Sequence, residues 1–314
     1  MKMKPLMKTA AALVALCCSG VAFAGGDGWS TDFAAAKKEA AETKKDLLID
    51  FTGSDWCGWC IKLNKEVFSQ EPFKTGVKDK FVLVELDYPK DKSKLSPETL
   101  KQNEELGKKY EVQGYPTILL TDAEGKPFAS TGYQAGGPEA YVKHLDELRA
   151  AKATRDQAFE SAGKAKGVEK AKALVAALKA MGLDDGMVAR FYGDVVEQIK
   201  ASDPKDETGF AKAAAAKERI KTFQSELGEF AQKEDYDGAL ALVDKTLKSG
   251  GFETEETQQL MMTRAMIFAQ QKKFDQAIKA ADEAKAFAPD SEMAAGIDGF
   301  KKKLEAGKKE AAGE

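Results

Sequence analysis

Cys57 and Cys60 stand three positions apart in "GSDWCGWCIKLNKEVF", residues 53–68, and a tryptophan precedes each of them. Such a pair can hold a metal, carry a covalently attached haem, staple the chain or pass electrons. Haem attachment needs a histidine directly after the second cysteine, and Ile61 is there instead. A structural bridge stabilises mainly by closing a long loop, and a gap of two residues closes almost nothing. The same gap places both side chains on one helix face, within bonding distance. The spacing suits a bond that opens and closes better than a staple, although a permanently closed disulfide remains the competing reading.

The metal reading depends on how many thiols survive export. The chain opens with Lys2, Lys4 and Lys8, runs through the apolar "TAAALVALCC", and reaches "AFAGG" with Ala22 and Ala24 at the small-residue positions of a cleavage site. This is the pattern of a secretory signal peptide over residues 1–24. A lipid-attachment signal is disfavoured by Leu16, a bulky residue just before Cys17. Cleavage after Ala24 removes Cys17 and Cys18, which leaves Cys57, Cys60 and the single histidine, His144, against the four ligands of a closed zinc site. No metal or other cofactor is implied. Loss of three lysines and no acid takes the formal charge from −3 to −6, which gives no reason to expect nucleic-acid binding. The expected location is the periplasm or the exterior of the cell.

The residues after Cys57 have helical spacing, with Ile61, Leu63, Val67 and Phe68 on an apolar stripe. If the helix starts at Cys57, that sulfur meets unpaired backbone N–H groups and the positive end of the helix dipole, which favour thiolate. Cys57 is then the exposed nucleophile. Cys60, one turn inward, is the shielded resolving thiol that attacks the mixed disulfide and releases the substrate reduced.

The elements that must hold this pair follow from the hydrophobic pattern. "STDFAAAKKEAAETKK" starts with cap-type Ser30 and Thr31 and has Phe33, Ala36 and Ala40 at helical spacing. "DLLIDFTG" and "FVLVELDY" are apolar runs of buried parallel strands. A helix is expected near "PETLKQNEELGKKY", a hairpin over "TILL", "DAEG" and "PFAST", and a last helix at "GGPEAYVKHLDEL" with Pro138 in its first turn. The order, a helix followed by β-α-β-α-β-β-α, predicts a three-layer α/β sandwich over residues 25–150.

Residues 29 to about 149 resemble the thioredoxin-fold proteins, in particular exported thioredoxin-like members with "DWCGWC". Three features carry the resemblance: "WCGWC" after a buried strand, "GYPT" at residues 114–117, and Asp50 at the end of "LLID". The resemblance implies a cis bond before Pro116, with Tyr115 and Pro116 lying against the sulfurs and pairing with an extended substrate segment. It also implies that Asp50 is a buried carboxylate that helps deprotonate Cys60. A solvated turn residue is the plainer use of Asp50, because "TGSD" sets it one position further from the cysteines than in thioredoxin. Trp56 and Trp59 are substrate-docking candidates or simply cover apolar surface, while Lys62 and His144 are expected on solvated helix faces. Trp59 occupies a place that is proline in thioredoxin, so the direction of electron flow stays open across the fold's span from about −270 to about −120 mV.

Residues 151–314 are rich in Ala, Lys and Glu and contain a repeat. "FAQKEDYDGALALVDKTL" from Phe230 and "FAQQKKFDQAIKAADEAK" from Phe268 share Phe, Ala and Gln, an aromatic (Tyr236, Phe274), Asp, and a small alanine (Ala239, Ala277). They resemble tetratricopeptide helix–turn–helix units near 230–250 and 268–289. A third, fainter unit is read in "GVEKAKALVAALKAMG". The whole implies an extracytoplasmic thiol:disulfide oxidoreductase, reductase or isomerase, that acts on disulfide-containing proteins. It would draw on a membrane-bound or soluble electron donor and offer its helical repeats to a protein partner. The alternative is a scaffold in which the repeats bind a partner and the disulfide is static.

Overall fold

A computed structural model describes residues 28–312; the expected signal peptide, with Cys17, Cys18, Ala22 and Ala24, lies outside the described residues. Five strands form one mixed sheet in the order β1-β3-β2-β4-β5. They are β1 (Trp29–Ser30), β2 (Asp46–Thr52), β3 (Phe81–Asp87), β4 (Thr117–Thr121) and β5 (Pro127–Thr131). β1 and β2 run parallel to β3, and β4 turns antiparallel to both β2 and β5. β1, unforeseen in the sequence, is two residues long and covers only the first half of β3, pairing Trp29 with Leu83 and Ser30 with Val84.

Alternation along the strands divides the core into two layers. Leu47, Ile49, Phe51, Val82, Val84, Leu86 and Leu119 face helices α1 (Phe33–Thr43) and α4 (Pro97–Lys109), where Phe33, Ala36, Ala40 and Leu106 meet them, as does Tyr110 just beyond α4. Each of the buried valine, leucine, isoleucine and phenylalanine side chains stabilises the fold by roughly 1.5–3 kcal/mol on leaving water. The opposite face carries Trp29, Leu83, Glu85, Leu48 and Asp50. Trp29 packs on Phe68 and Phe73, with ring centroids 5.0 and 6.4 Å away, and Phe68 meets Tyr141 at 5.7 Å. That layer comprises α2 (Gly58–Leu63) with its π-helical continuation Asn64–Phe68, α3 (Glu71–Val77) and α5 (Gly137–Lys164). The three-layer α/β sandwich is therefore present.

Local signals explain the helix ends. α1 is capped by Asp32, whose carboxylate accepts from the Ala35 N–H at 2.9 Å; Ser30 and Thr31, the expected caps, precede it, and the Ser30 hydroxyl donates to the Asp32 carbonyl. α4 starts at Ser96, whose hydroxyl accepts from the Thr99 N–H, and carries Pro97 in its first turn. α5 runs through residue 150 without a break, because residues 139–162 contain neither glycine nor proline and are mostly good helix formers. It is anchored to the sheet by buried Asp46, which pairs with Arg149 at 3.0 Å and Lys152 at 2.5 Å.

The chain divides into two compact units, the first taking residues up to 160 together with 176–194, the second 161–175 and 195 onward. The segment read as a faint third repeat, residues 167–182, is helix α6 (Gly167–Met181), and α7 (Asp185–Ser202) follows it to form a hairpin. Residues 176–194 of that hairpin belong to the first unit, since Met187, Leu183 and Phe191 pack into its core and the Tyr192 hydroxyl donates to the Pro127 carbonyl. The second unit holds α8 (Phe210–Gln232), α9 (Tyr236–Ser249), α10 (Thr254–Gln270), α11 (Phe274–Phe287) and α12 (Glu292–Ala312). The repeat is visible in its turns. Glu234 and Lys272 both adopt left-handed backbone (φ 53° and 56°), and the Asp235 and Lys273 N–H groups donate to the Phe230 and Phe268 carbonyls, each at 3.0 Å. Among the described residues no helix is long and apolar enough to cross a membrane.

Candidate active site

The site is built at the C-terminal end of β2. The chain leaves the strand at Thr52 and turns at Gly53, whose carbonyl accepts the N–H groups of Trp56 and Cys57 at 3.2 and 2.9 Å. Two aspartates hold this turn: Asp87, at the end of β3, accepts the Ser54 N–H and hydroxyl, and Asp55 accepts the N–H groups of Lys90 and Asp91. Those two backbone donors pull the half-buried Asp55 carboxyl down to about 2. The "TGSD" insertion is thus bridged to the strand and loop beside it.

Cys57 is the N-cap of α2 and is bonded to Cys60, with Cα atoms 5.2 Å apart. Its Sγ also accepts from the Cys60 N–H at 3.2 Å, so the sulfur sits where a helix start favours negative charge. Cys57 is not the exposed residue the sequence led us to expect. It is 6% exposed against 3% for Cys60, because the disulfide and the capping contact turn its Sγ toward the first helical turn rather than outward.

What is exposed is aromatic. Trp59 is 57% and Trp56 40% accessible. Trp56 is held by its indole N–H, which donates to the Tyr88 carbonyl at 2.8 Å, and by edge contact with Tyr115 at 5.6 Å. Trp59 lies 5.1 Å from the Tyr133 ring, and the Lys62 ammonium sits over both rings at 5.1 and 4.9 Å. The interaction with Tyr133 raises the Lys62 pKa, and the Tyr133 hydroxyl donates to Glu66 at 2.7 Å. Lys62 is solvated, as expected, yet it is also part of an aromatic cage; His144, expected on the surface, is half-buried and hydrogen-bonded to Thr131.

The Tyr115–Pro116 bond is cis. The β2–β4 ladder ends at Phe51 and Thr117, so Tyr115 and Pro116 lie just past the last paired residue. Asp50 is no turn residue: it is 5% exposed, in the interior of β2, and its Oδ1 has no hydrogen-bond partner. Burial, and then the nearby Glu85 and Asp87, push its pKa well above the ordinary carboxylate range. Asp50 in turn adds to the burial that raises the Tyr141 hydroxyl. The structure therefore brings Cys57, Cys60, Trp56, Trp59, Tyr115 and Pro116 to one end of the sheet, with Asp50 in the strand beneath. Tyr88, Tyr133 and Glu85 were missed. Glu85 was detectable, because "FVLVELDY" alternates Leu83, Glu85 and Asp87 onto one face.

Gly53 has no room for a side chain, since a Cβ there would lie 2.6 to 2.9 Å from three atoms of the Trp56 indole. Gly53→Ala is expected to displace the indole from Tyr88, red-shift the tryptophan emission and cost about 1–3 kcal/mol of stability. Unchanged emission and melting would contradict the packing described.

Residues 33–149 match the family described as thioredoxin-like domain. The disulfide bond reductase DsbH of Chlamydia pneumoniae is 37% identical over 113 residues, 36% of this chain and 68% of that protein. The thioredoxin-related protein DsbJ of the same organism is 33% identical over 127 residues, 38% of this chain and 36% of that protein. A solved structure of DsbH oxidoreductase is 30% identical, covers 46% of this chain and 92% of its own, and superposes with a TM-score of 0.36. With its redox-type disulfide at a helix start beside a cis-proline, the chain belongs to the thioredoxin-like family of thiol–disulfide oxidoreductases.

Proposed function

We propose that the protein is an extracytoplasmic thiol:disulfide oxidoreductase that works in the reducing or isomerising direction on disulfide-containing proteins. The observation that carries this reading is the Cys57–Cys60 disulfide at the N-cap of α2, where the Cys60 N–H already points at the Cys57 sulfur. In the reduced protein that N–H and the helix dipole stabilise a Cys57 thiolate. The thiolate attacks a substrate disulfide, forming a Cys57–substrate bond and expelling one substrate thiolate. Asp50 takes the proton of Cys60, whose sulfur then attacks Cys57; the Cys57–Cys60 bond forms and the second substrate sulfur leaves. The backbone at Tyr115 and Pro116 aligns an extended substrate segment, and Trp56 and Trp59 supply apolar docking surface. Each turnover oxidises the pair, so a thiol donor, membrane-bound or soluble, must reduce it again. Residues 151–314 would serve as the region that docks a protein partner.

The test is insulin reduction by the full chain with dithiothreitol as electron source. Acceleration by wild type that is lost in Cys57→Ala/Cys60→Ala is the expected result, and equal rates for the two proteins would refute the reading. The low exposure of both sulfurs favours a second reading, a scaffold whose disulfide stays closed. That reading requires the bond to persist in excess reduced glutathione.

A further inference from the structure

Asp50 does not sit alone on its face of the sheet. Its register partner on β3 is Glu85, and the next pair along is Thr52 with Asp87; on neighbouring parallel strands such partners project to the same side. Because β1 ends at Ser30, opposite Val84, β3 has no strand neighbour on that edge from Glu85 onward. A polar cavity of about 220 Å³ opens there, lined by Glu85 and Asp87 together with Thr31, Ser54, Lys94 and Asn103. It has room for several waters. Both Asp87 oxygens are engaged by Ser54, whereas Asp50 Oδ1 is buried and unpartnered. Glu85 is the acid that both pairs with Asp50 in register and lines the cavity.

We propose that Glu85 is a positioning residue that couples Asp50 to this cavity: the two carboxyls hold one proton between them, and the proton taken from Cys60 leaves by way of Glu85 rather than through the substrate face. The proposal rests on the reading of Asp50 as the base for Cys60. During resolution the Cys60 S–H breaks as an O–H forms on Asp50. The Cys60 sulfur then bonds to Cys57 and the substrate sulfur leaves with the electron pair; Glu85 gives the proton it held to cavity water and takes up the one Asp50 received, which restores a single proton on the pair. Two carboxylates that share one face as register partners resist ionising together. The charged and titratable groups about the pair are Asp87 on the same strand, Tyr141 from α5 and Lys94 at the cavity wall. Burial and Asp87 raise the Glu85 pKa in the same sense.

The experiment is stopped-flow tryptophan fluorescence of the reduced full chain mixed with oxidised glutathione, from pH 5 to pH 9. Resolution by Cys60 is the phase whose rate does not depend on glutathione concentration. In wild type its acid limb reports the carboxyl pair. Glu85→Gln is expected to move that limb down by about one pH unit, and Asp50→Asn to remove it. A Glu85→Gln profile that superimposes on wild type, while Asp50→Asn removes the limb, overturns the proposal alone. If Asp50→Asn also leaves the limb in place, the assignment of Asp50 fails with it, and if no glutathione phase appears the redox reading itself fails. Carboxyl-carbon NMR titration of reduced wild type needs no variant: two-step curves at both Asp50 and Glu85 are expected, and a single ordinary carboxylate step at Glu85 contradicts the coupling.

Discussion

Cys60→Ala is expected to leave the full chain covalently linked to its substrate through Cys57, whereas Cys57→Ala forms no adduct and loses insulin reduction by roughly three orders of magnitude or more. The two variants differ because the two sulfurs are placed differently. Cys57 caps α2 and receives the Cys60 N–H, so its thiolate is the stabilised one and attacks first. Cys60 lies one turn further in and is 3% exposed, and its reach is limited to the sulfur beside it. Without Cys60 the mixed disulfide has no internal exit. Non-reducing electrophoresis after mixing with a disulfide-containing protein reads the result. Adducts on Cys57→Ala instead of Cys60→Ala would reverse the assignment, and adducts on neither would favour the static scaffold.

The second large effect concerns Asp50. Asp50→Asn is expected to slow resolution by Cys60 at pH 7 by roughly 10- to 100-fold, at the lower end of what a positioned base contributes. The same change should make the oxidised protein more stable at pH 8. Burial raises the folded pKa of Asp50 above its unfolded value, which for an aspartate is about 3.9. The folded state therefore binds the proton more tightly, and the stability this confers is fully present below the unfolded value and fades as pH rises through the raised, folded one. Glu85, also raised, acts in the same sense. Melting temperatures at pH 5 and pH 8 should differ less in Asp50→Asn than in wild type, with the variant the higher at pH 8. A variant that melts lower at pH 8 would mean that the carboxylate is paired there and the burial argument is wrong.

Much of the sheet was legible because β2 and β3 are continuous apolar runs bounded by charge, and the "GYPT" segment announced the cis peptide through resemblance. Asp50 shows what alternation adds: once Leu47, Ile49 and Phe51 are assigned to the α1 and α4 side, Asp50 must face the other layer. Glu85 follows by the same step along β3, yet a lone acid in an apolar strand gives no sign of its register partner until the pairing is known. Cys57 misled for a different reason. Position at a helix start specifies the electrostatics of the sulfur, but its exposure depends on the bond to Cys60, which turns the Sγ inward. The π-helical turn of Asn64–Phe68 interrupts what reads as one helical stripe from Ile61 to Phe68, because local spacing does not distinguish a wider turn from a regular one. Residues 167–182 resemble a repeat in composition, but they form the single helix α6, whose first half belongs to the helical unit and whose second half belongs to the sheet unit.

The centre of the account is that the Cys57–Cys60 pair opens and closes in the reducing or isomerising range. Equilibrating the full chain with glutathione redox buffers and following the fluorescence of Trp56 and Trp59 gives its midpoint potential. The account predicts a value between about −270 and about −180 mV, where reductases and isomerases of this fold lie. A value near −120 mV would make the protein an oxidant, and one below about −300 mV would mark a disulfide that stays closed; either would contradict it.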